Sequence, residues 1–444
     1  MMDSRMHQEL DILIKDGLIL TLEPEVAPVP RGYIAIRGAT ITDIGSMSHL
    51  EAGVRAKKII NANGCLVMPG LVNAHTHLPM SVFRGLADDL PLDTWLNEHI
   101  FPAEAAHVNE DLVYWGSKLA LAEMLLTGTT CIGDGYFYEE HAARAVQETG
   151  LRAVLGQGVI DFPAPGAPDP AESVTIARNF IERWQGVSDL IKPSVFCHSP
   201  YTCSSSTLNR SKDLAREMGV LLQIHVAETE NEVKQSLVET GLTPIRFLDS
   251  LDLLDECTLA VHCVHLDDEE IDLLASKKVP VVVCPESHMK LASGLARLPE
   301  MLDKGVCVAL GTDGAASNND LNLFSEIRSA ALIQKAAAQD PTTLPATQIL
   351  RTATSGGAQA LNSSSQFGTL TAGSQADLIM LNLNHPNLKP MYNPFSHLVY
   401  AASGREVRTV LVGGRILVED GQLTTLDLDE IMERVREIAK KIKR

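Results

Sequence analysis

At 444 residues and 45% apolar, the chain is too long for one small domain and can fill a large core plus an accessory unit. Its 37 basic and 56 acidic residues leave a formal charge of −19, which argues against binding a phosphate backbone, and no Lys/Arg cluster stands outside the last few residues. The expected partner is a small molecule, with no nucleic acid and no membrane. The eight cysteines form no C-x-x-C pair and several fall in apolar runs, so they read as reduced core thiols. No apolar signal segment opens the chain, and no apolar run approaches the about 20 residues of a membrane span. A soluble cytoplasmic protein is expected.

Residues 1–65 read as short strands and turns. Asp11–Ile14 meets a turn at Asp16-Gly17 before Leu18–Leu22, and Tyr33–Ile36 meets Arg37-Gly38 before Thr40–Ile44. Both are hairpin signals. Similar text returns at Ala376–Leu381, Thr409–Val412, Gly413-Gly414 and Arg415–Val418, in residues 367–425. The two ends are expected to pair into one small β-sandwich.

Residues 66–366 alternate strand and helix signals. The strand runs are 66–74, 129–134, 152–159, 192–199, 219–226, 258–263, 279–284 and 306–312, with helical stretches such as 206–217, 267–276 and 319–337 between them. Eight such units predict an α/β fold, a (β/α)8 TIM-type barrel. A doubly wound sheet is the runner-up, but no G-x-G-x-x-G follows the first strand. Leu78–Phe101 is long for a βα loop and carries Met80, Phe83, Trp95 and Phe101, the content of a substrate lid. Residues 426–444 read as an amphipathic docking helix. Leu428, Ile431, Val435 and Ile438 share one face, acids stand at its start, and Lys440, Lys441, Lys443 and Arg444 at its end.

Catalytic groups of a barrel come from the C-terminal ends of its strands. Strand one ends in His75 and His77, whose spacing puts both imidazoles on one side of a strand. Strand four ends in His198, strand five in His225 with Glu228 close behind, strand six in His262 with His265 behind, and strand eight in Asp313. A lone His at a strand end is usually structural; five together with an Asp predict a metal site. His75, His77, His225 and Asp313 suit zinc, with ferrous iron as the alternative, and leave a position for a water acidified to a pKa of about 7. No Lys stands beside His198 to bridge a second ion, so one metal per subunit is expected.

The chain resembles the amidohydrolase superfamily and, within it, the 5′-methylthioadenosine/S-adenosylhomocysteine deaminases. The residues that carry this are Pro69–His77, Arg84-Gly85, Trp95-Leu96, His198–Tyr201, His225–Glu228, His262–His265, Gly311–Asn319 and Leu321–Leu323. The resemblance implies hydrolytic deamination of an adenine nucleoside at C6, giving the inosine derivative and ammonia, by a subunit of a dimer or tetramer. Asp313 would take the proton of the attacking water. Glu228 would protonate the ring nitrogen N1 and pass protons to the departing ammonia; its bland alternative is a solvated acid at a helix start. His262 would hydrogen-bond the attacking and tetrahedral oxygen.

Glu104 would accept from the ribose hydroxyls, unless it is an exposed acid opening the helix at 105. His198, Ser317 and Gln157 are further candidate substrate contacts, and Trp95 with Phe83 would line a pocket for a methylthio group. His265, Asn73 and Thr312 would stand behind the ligands. His7, His49, His99, His107, His141, His385 and His397 read as surface or packing residues.

Two departures stand out. Some family members place Arg at the end of strand three and in the loop after it, whereas Leu155–Gly158 and Asp161–Pro170 have none. An anionic tail would meet no cation there, which favours methylthioadenosine or adenosine over S-adenosylhomocysteine. His288 stands where the family usually shows Asn. The alternatives are the same machinery on a guanine-type base or a chloro-s-triazine, and a non-catalytic barrel relative.

Overall fold

The computed structural model describes residues 9–362 and 367–442; His7, Lys443 and Arg444 lie outside them. Eight parallel strands run Leu71–Thr76, Thr129–Tyr136, Arg152–Val159, Ile191–Cys197, Leu222–Val226, Thr258–His262, Val281–Val283 and Val308–Leu310. Each pairs with the next in chain order, and a parallel bridge between Thr76 and Asp313 joins the first strand to the segment after the last. Nearly every strand residue is buried, as expected for a sheet covered on both faces. Two of the intervening helices start on clear side-chain caps: Asn109 accepts from the Asp111 and Leu112 amides, and Asp267 and Glu270 form a reciprocal capping box.

The run 66–74 is not one strand. It divides at Gly70: Cys65–Pro69 pairs with Leu10–Ile19 and Leu378–Asn382, while Leu71–Thr76 opens the barrel. The backbone approaches strand two so closely that a Cβ on Gly70 would lie 2.0 Å from Thr130 Oγ1. The terminal strands form one nine-stranded mixed sheet, with strands from the two chain ends joined through Cys65–Pro69. Its own core includes Ile14, Ile34, Ile36, Leu378 and Leu411.

Asp16-Gly17 is not a hairpin turn. Leu10–Ile19 is continuous, pairs with Val29–Arg37 on both sides of an irregularity at Lys15–Gly17, and absorbs it with Asp16 at φ +68°. The next signal does form a hairpin, Val29–Arg37 with Thr40–Ser46, as does Val407–Val412 with Arg415–Glu419.

Leu78–Phe101 folds into helical turns, Leu78–Phe83, Leu92–Thr94 and Trp95–Ile100, leading into the helix Phe101–His107. The C-terminal helix, Leu428–Ile442, buries Ile431 and Ile438 and packs against the helix Glu110–Leu126. Among the described residues no helix is long and apolar enough to cross a membrane.

A buried ion pair ties the barrel to the terminal sheet. Arg152, at the start of strand three, grips Asp377 with Nε–Oδ2 at 2.8 Å and Nη2–Oδ1 at 3.1 Å, and the Gly413 amide also donates to Oδ1. Asp377→Ala leaves the guanidinium buried without its counter-ion and is expected to cost about 3–5 kcal/mol, read from the urea unfolding midpoint. Glu419→Ala, at the exposed pair with Lys58, is expected to cost under about 1 kcal/mol. Equal effects at the two positions would contradict this role for the buried pair.

Candidate active site

The C-terminal barrel ends bring His75, His77, His225, His262 and Asp313 together. Asp313 Oδ1 is 3.3 Å from His77 Nε2 and 3.6 Å from His75 Nε2. His225 Nε2 is 3.1 Å from His75 Nε2. The donor atoms of His75, His77 and Asp313 all lie within 4.8 Å of one another, as do those of His75, His225 and His262. His77 Nδ1 donates to the Gly135 carbonyl at 2.7 Å, which orients the ring with Nε2 toward the cluster.

Burial lowers His75 and His262 to about 4 each and holds His225 well below the usual range, so these rings are neutral. Burial also opposes a charge on His77, but its bond to Asp313 and the charge of that carboxylate outweigh it and hold the ring at about 9. Burial works against ionised Asp313 too; the contacts to His75 and His77 prevail and keep it well below the usual carboxylate range. Two imidazole nitrogens 3.1 Å apart, with an anionic oxygen 3.6 Å from one of them, suit a divalent metal, whose charge would satisfy lone pairs that otherwise face one another.

The carboxylate is held from behind. Ser287 Oγ and Ser317 Oγ each donate to Oδ2 at 2.7 Å, and the Gly314 amide donates to Oδ1 at 2.8 Å. Asn73 links strand one to strand eight, donating to Thr312 Oγ1 at 2.7 Å and accepting from the Thr312 amide at 3.0 Å. The two strands approach so closely that a Cβ on Gly311 would lie 2.9 Å from His75 backbone and side chain.

Glu228 stands across the site, its Oε2 3.7 Å from His262 Nε2. Burial and the negative charge of Asp313 push its carboxyl up to about 8. Glu232 fixes the turn beneath it by accepting from the Ala227 and Glu228 amides at 2.8 Å each. Ser293 Oγ donates a long bond, 3.4 Å, to Glu228 Oε1, and His265 Nε2 donates to the Ser293 carbonyl at 2.6 Å. His265 therefore sits behind the loop and steadies it. His262 Nδ1 lies 3.0 Å from Nε2 of the buried His288.

One cavity opens over these groups. Met80, Trp95, Leu96, Phe101, Phe137 and Leu291 supply an apolar wall, and Glu104, His198, Glu228, His262, Asp313 and Ser317 a polar one; no Lys or Arg is among the described lining residues. Glu104 is no exposed helix-opening acid: it is 4% exposed within Phe101–His107 and accepts from the Tyr136 hydroxyl. Burial raises it to about 7, with the Tyr136 bond pulling the other way. His198 is tied at Nδ1 to Thr202 Oγ1, 3.0 Å away.

Two candidates fall elsewhere. Gln157 does not line the cavity; its Oε1 accepts from the Glu139 amide at 3.1 Å and its Nε2 turns to the Gly158 carbonyl, so its amide supports a helix start. Phe83 is 1% exposed in the core and likewise does not line the cavity. Trp95 does, with its indole N–H donating to the Ala87 carbonyl at 3.1 Å.

Sequence reasoning missed Tyr136, Phe196 and Tyr201 in the cavity wall, and Ser287 and Ser293 behind it. Tyr136 closes strand two, two residues beyond the predicted end at 134. Carrying the alternation through Gly135 would have found it.

An amidohydrolase family model matches residues 66–417. The curated 5-methylthioadenosine/S-adenosylhomocysteine deaminase of Syntrophobacter fumaroxidans is 47% identical over 433 residues, 98% of each chain. The 5′-deoxyadenosine deaminase of Methanothermobacter thermautotrophicus is 45% identical over 423 residues, 94% of this chain and 96% of its own. A solved zinc-bound adenosine deaminase from Xanthomonas campestris superposes with a TM-score of 0.96 at 36% identity, over 98% of this chain and 99% of that one. Matched along most of its length by the family model and by these relatives, the chain belongs to the amidohydrolase family.

Proposed function

We propose that this protein is a zinc-dependent aminohydrolase that removes the 6-amino group of an adenine nucleoside, giving the inosine derivative and ammonia. One observation carries the reading: one cavity is lined by His77, His225 and Asp313 of the donor set, by a carboxyl raised to about 8 at Glu228, and by the buried carboxyl of Glu104. The names of the deaminase relatives support it.

His75, His77, His225 and Asp313 would hold one zinc per subunit, with ferrous iron as the alternative. The bound ion supplies Lewis-acid charge that brings the pKa of water to about 7. Every other step belongs to side chains. Asp313, ionised and braced by two serines, accepts the proton of the attacking water. Glu228, protonated at neutral pH, delivers its proton to N1 of the purine, which makes C6 electrophilic. As a carboxylate it then takes the remaining proton of the oxygen added at C6 and carries it to the amino group, which leaves as ammonia, and the proton held by Asp313 returns to Glu228 through solvent. His262 steadies the oxygen added at C6. Glu104, held at one oxygen by Tyr136, offers the other to the ribose hydroxyls.

The cavity wall of Trp95, Leu96 and Phe101 suits an uncharged 5′ substituent. With no Lys or Arg among the described lining residues, an anionic amino-acid tail finds no partner. Methylthioadenosine and adenosine are therefore expected to be deaminated at least about tenfold more efficiently than S-adenosylhomocysteine. That margin corresponds to roughly 1.4 kcal/mol of binding, measured as ammonia release. Equal kcat/KM for all three would remove this specificity argument, and activity only on a free base or chlorotriazine would remove the nucleoside reading.

Glu228→Gln keeps the shape and removes the acid. Its kcat is expected to fall by about 10²–10⁴ with zinc content unchanged. Wild-type kcat/KM is expected to decline as pH rises through about 8, where a raised carboxyl loses the proton it must give. A Gln variant with near-normal turnover would assign the proton transfer elsewhere.

Glu104→Gln is expected to raise KM for adenosine while leaving the weak turnover of free adenine unchanged. A variant that loses both substrates equally would place Glu104 in the structure of the lid instead of the ribose contact.

A further inference from the structure

His288 stands outside the cavity wall, 2% exposed, on the short helix Pro285–Lys290 that follows strand seven. Its Nε2 lies 3.0 Å from His262 Nδ1. His288 is in neither donor group of the proposed metal site and does not line the cavity, so a contact of that length here needs one N–H and one lone pair. The choice of donor decides what His262 presents to the cavity. If His262 donates to His288, its Nε2 carries a lone pair; if it accepts, its Nε2 carries the hydrogen.

The groups facing that nitrogen settle the choice. Glu228 Oε2 is 3.7 Å away, with a proton already destined for the purine, and the Asp313 carboxylate that lines the same cavity only accepts. Under the proposed reaction, the oxygen added at C6 lies there as well. A lone pair on His262 Nε2 would compete for the proton that Glu228 must deliver to the purine. An N–H serves both neighbours and the reacting oxygen.

We propose that His288 is a positioning residue: it donates from Nε2 to His262 Nδ1 and so holds His262 with its hydrogen on Nε2, aimed into the cavity. This rests on the proposed deamination and names a residue that tunes it.

The surroundings hold both rings in place. The His288 amide bonds to the Cys284 carbonyl at 3.0 Å, and the His288 carbonyl accepts from the Ser293 amide at 2.9 Å. Ser293 is the residue whose hydroxyl reaches Glu228, so one loop sets the His262 tautomer and the Glu228 carboxyl together. His262 is committed through its backbone. It and Cys263 have φ of +78° and +47°, two successive left-handed residues that are not glycine. Such conformations are unfavourable for residues other than glycine and persist where the neighbouring structure demands them.

The test is a long-range proton–nitrogen correlation spectrum of the full-length, zinc-loaded protein labelled with ¹⁵N-histidine. The His262 ring is expected to show an unprotonated Nδ1 and a protonated Nε2. His288→Leu, which cannot donate, is expected to lose that pattern. Its kcat with methylthioadenosine should fall by about 10–100-fold, the range for a residue that orients a site group, with KM and zinc content unchanged. His288→Asn restores an N–H donor and is expected to recover both the tautomer and most of the rate.

A wild-type His262 carrying its hydrogen on Nδ1 would overturn the proposal. So would a folded, zinc-replete Leu variant with wild-type kcat and tautomer. If the Leu variant does not fold, the wild-type spectrum decides. If no adenine nucleoside is turned over, the deaminase reading falls by itself, because the spectrum needs no substrate.

Discussion

An ionised carboxylate in a dry barrel mouth is unstable unless donors and positive charge surround it, and the whole upper end of this barrel is arranged around Asp313. Two serine hydroxyls bond its Oδ2, the Gly314 amide bonds Oδ1, and His75 and His77 also face Oδ1. The Thr76–Asp313 bridge that brings the last strand to the first also delivers this carboxylate to the first two histidines. Barrel closure and the metal-binding geometry are therefore one structural event.

From that centre the other groups acquire their character by burial and by charge. Burial, reinforced by the anion at Asp313, raises the Glu228 carboxyl to about 8, so two acids in one cavity sit in opposite protonation states at neutral pH. That pairing is what a hydrolytic deamination needs: one group to take a proton from water and another to give one to the ring. Glu104 stands apart from both, buried against Tyr136 beneath the lid. The segment after strand one contributes Trp95, Leu96 and Phe101 to the apolar wall facing these polar groups.

The histidines and Asp313 were legible because strand periodicity places successive ends on one rim, a rule that needs only the chain order. Element edges were less legible. Gly70 looks like the middle of an apolar run until its approach to Thr130 is known, and Gly135 looks like a strand end although the strand continues to Tyr136. Asp16-Gly17 reads as a turn because those residues tolerate positive φ, a property that a bulge uses equally well. Gln157 had a strand-end position, but its amide was claimed by the start of the next helix. Ser287, Ser293 and the His288–His262 contact carry no local signal. They come from the segment after strand seven, which meets the site only through the tertiary fold.

The most direct measurement of the central claim is a zinc titration of metal-stripped protein, followed at once by metal content and by ammonia release from methylthioadenosine. The account predicts that activity is absent at the start and rises linearly to a plateau at one equivalent per chain, and that Asp313→Asn neither retains the ion tightly nor gains activity. Full activity in the stripped protein, or zinc bound at one equivalent with no release of ammonia from any adenine nucleoside, would contradict it.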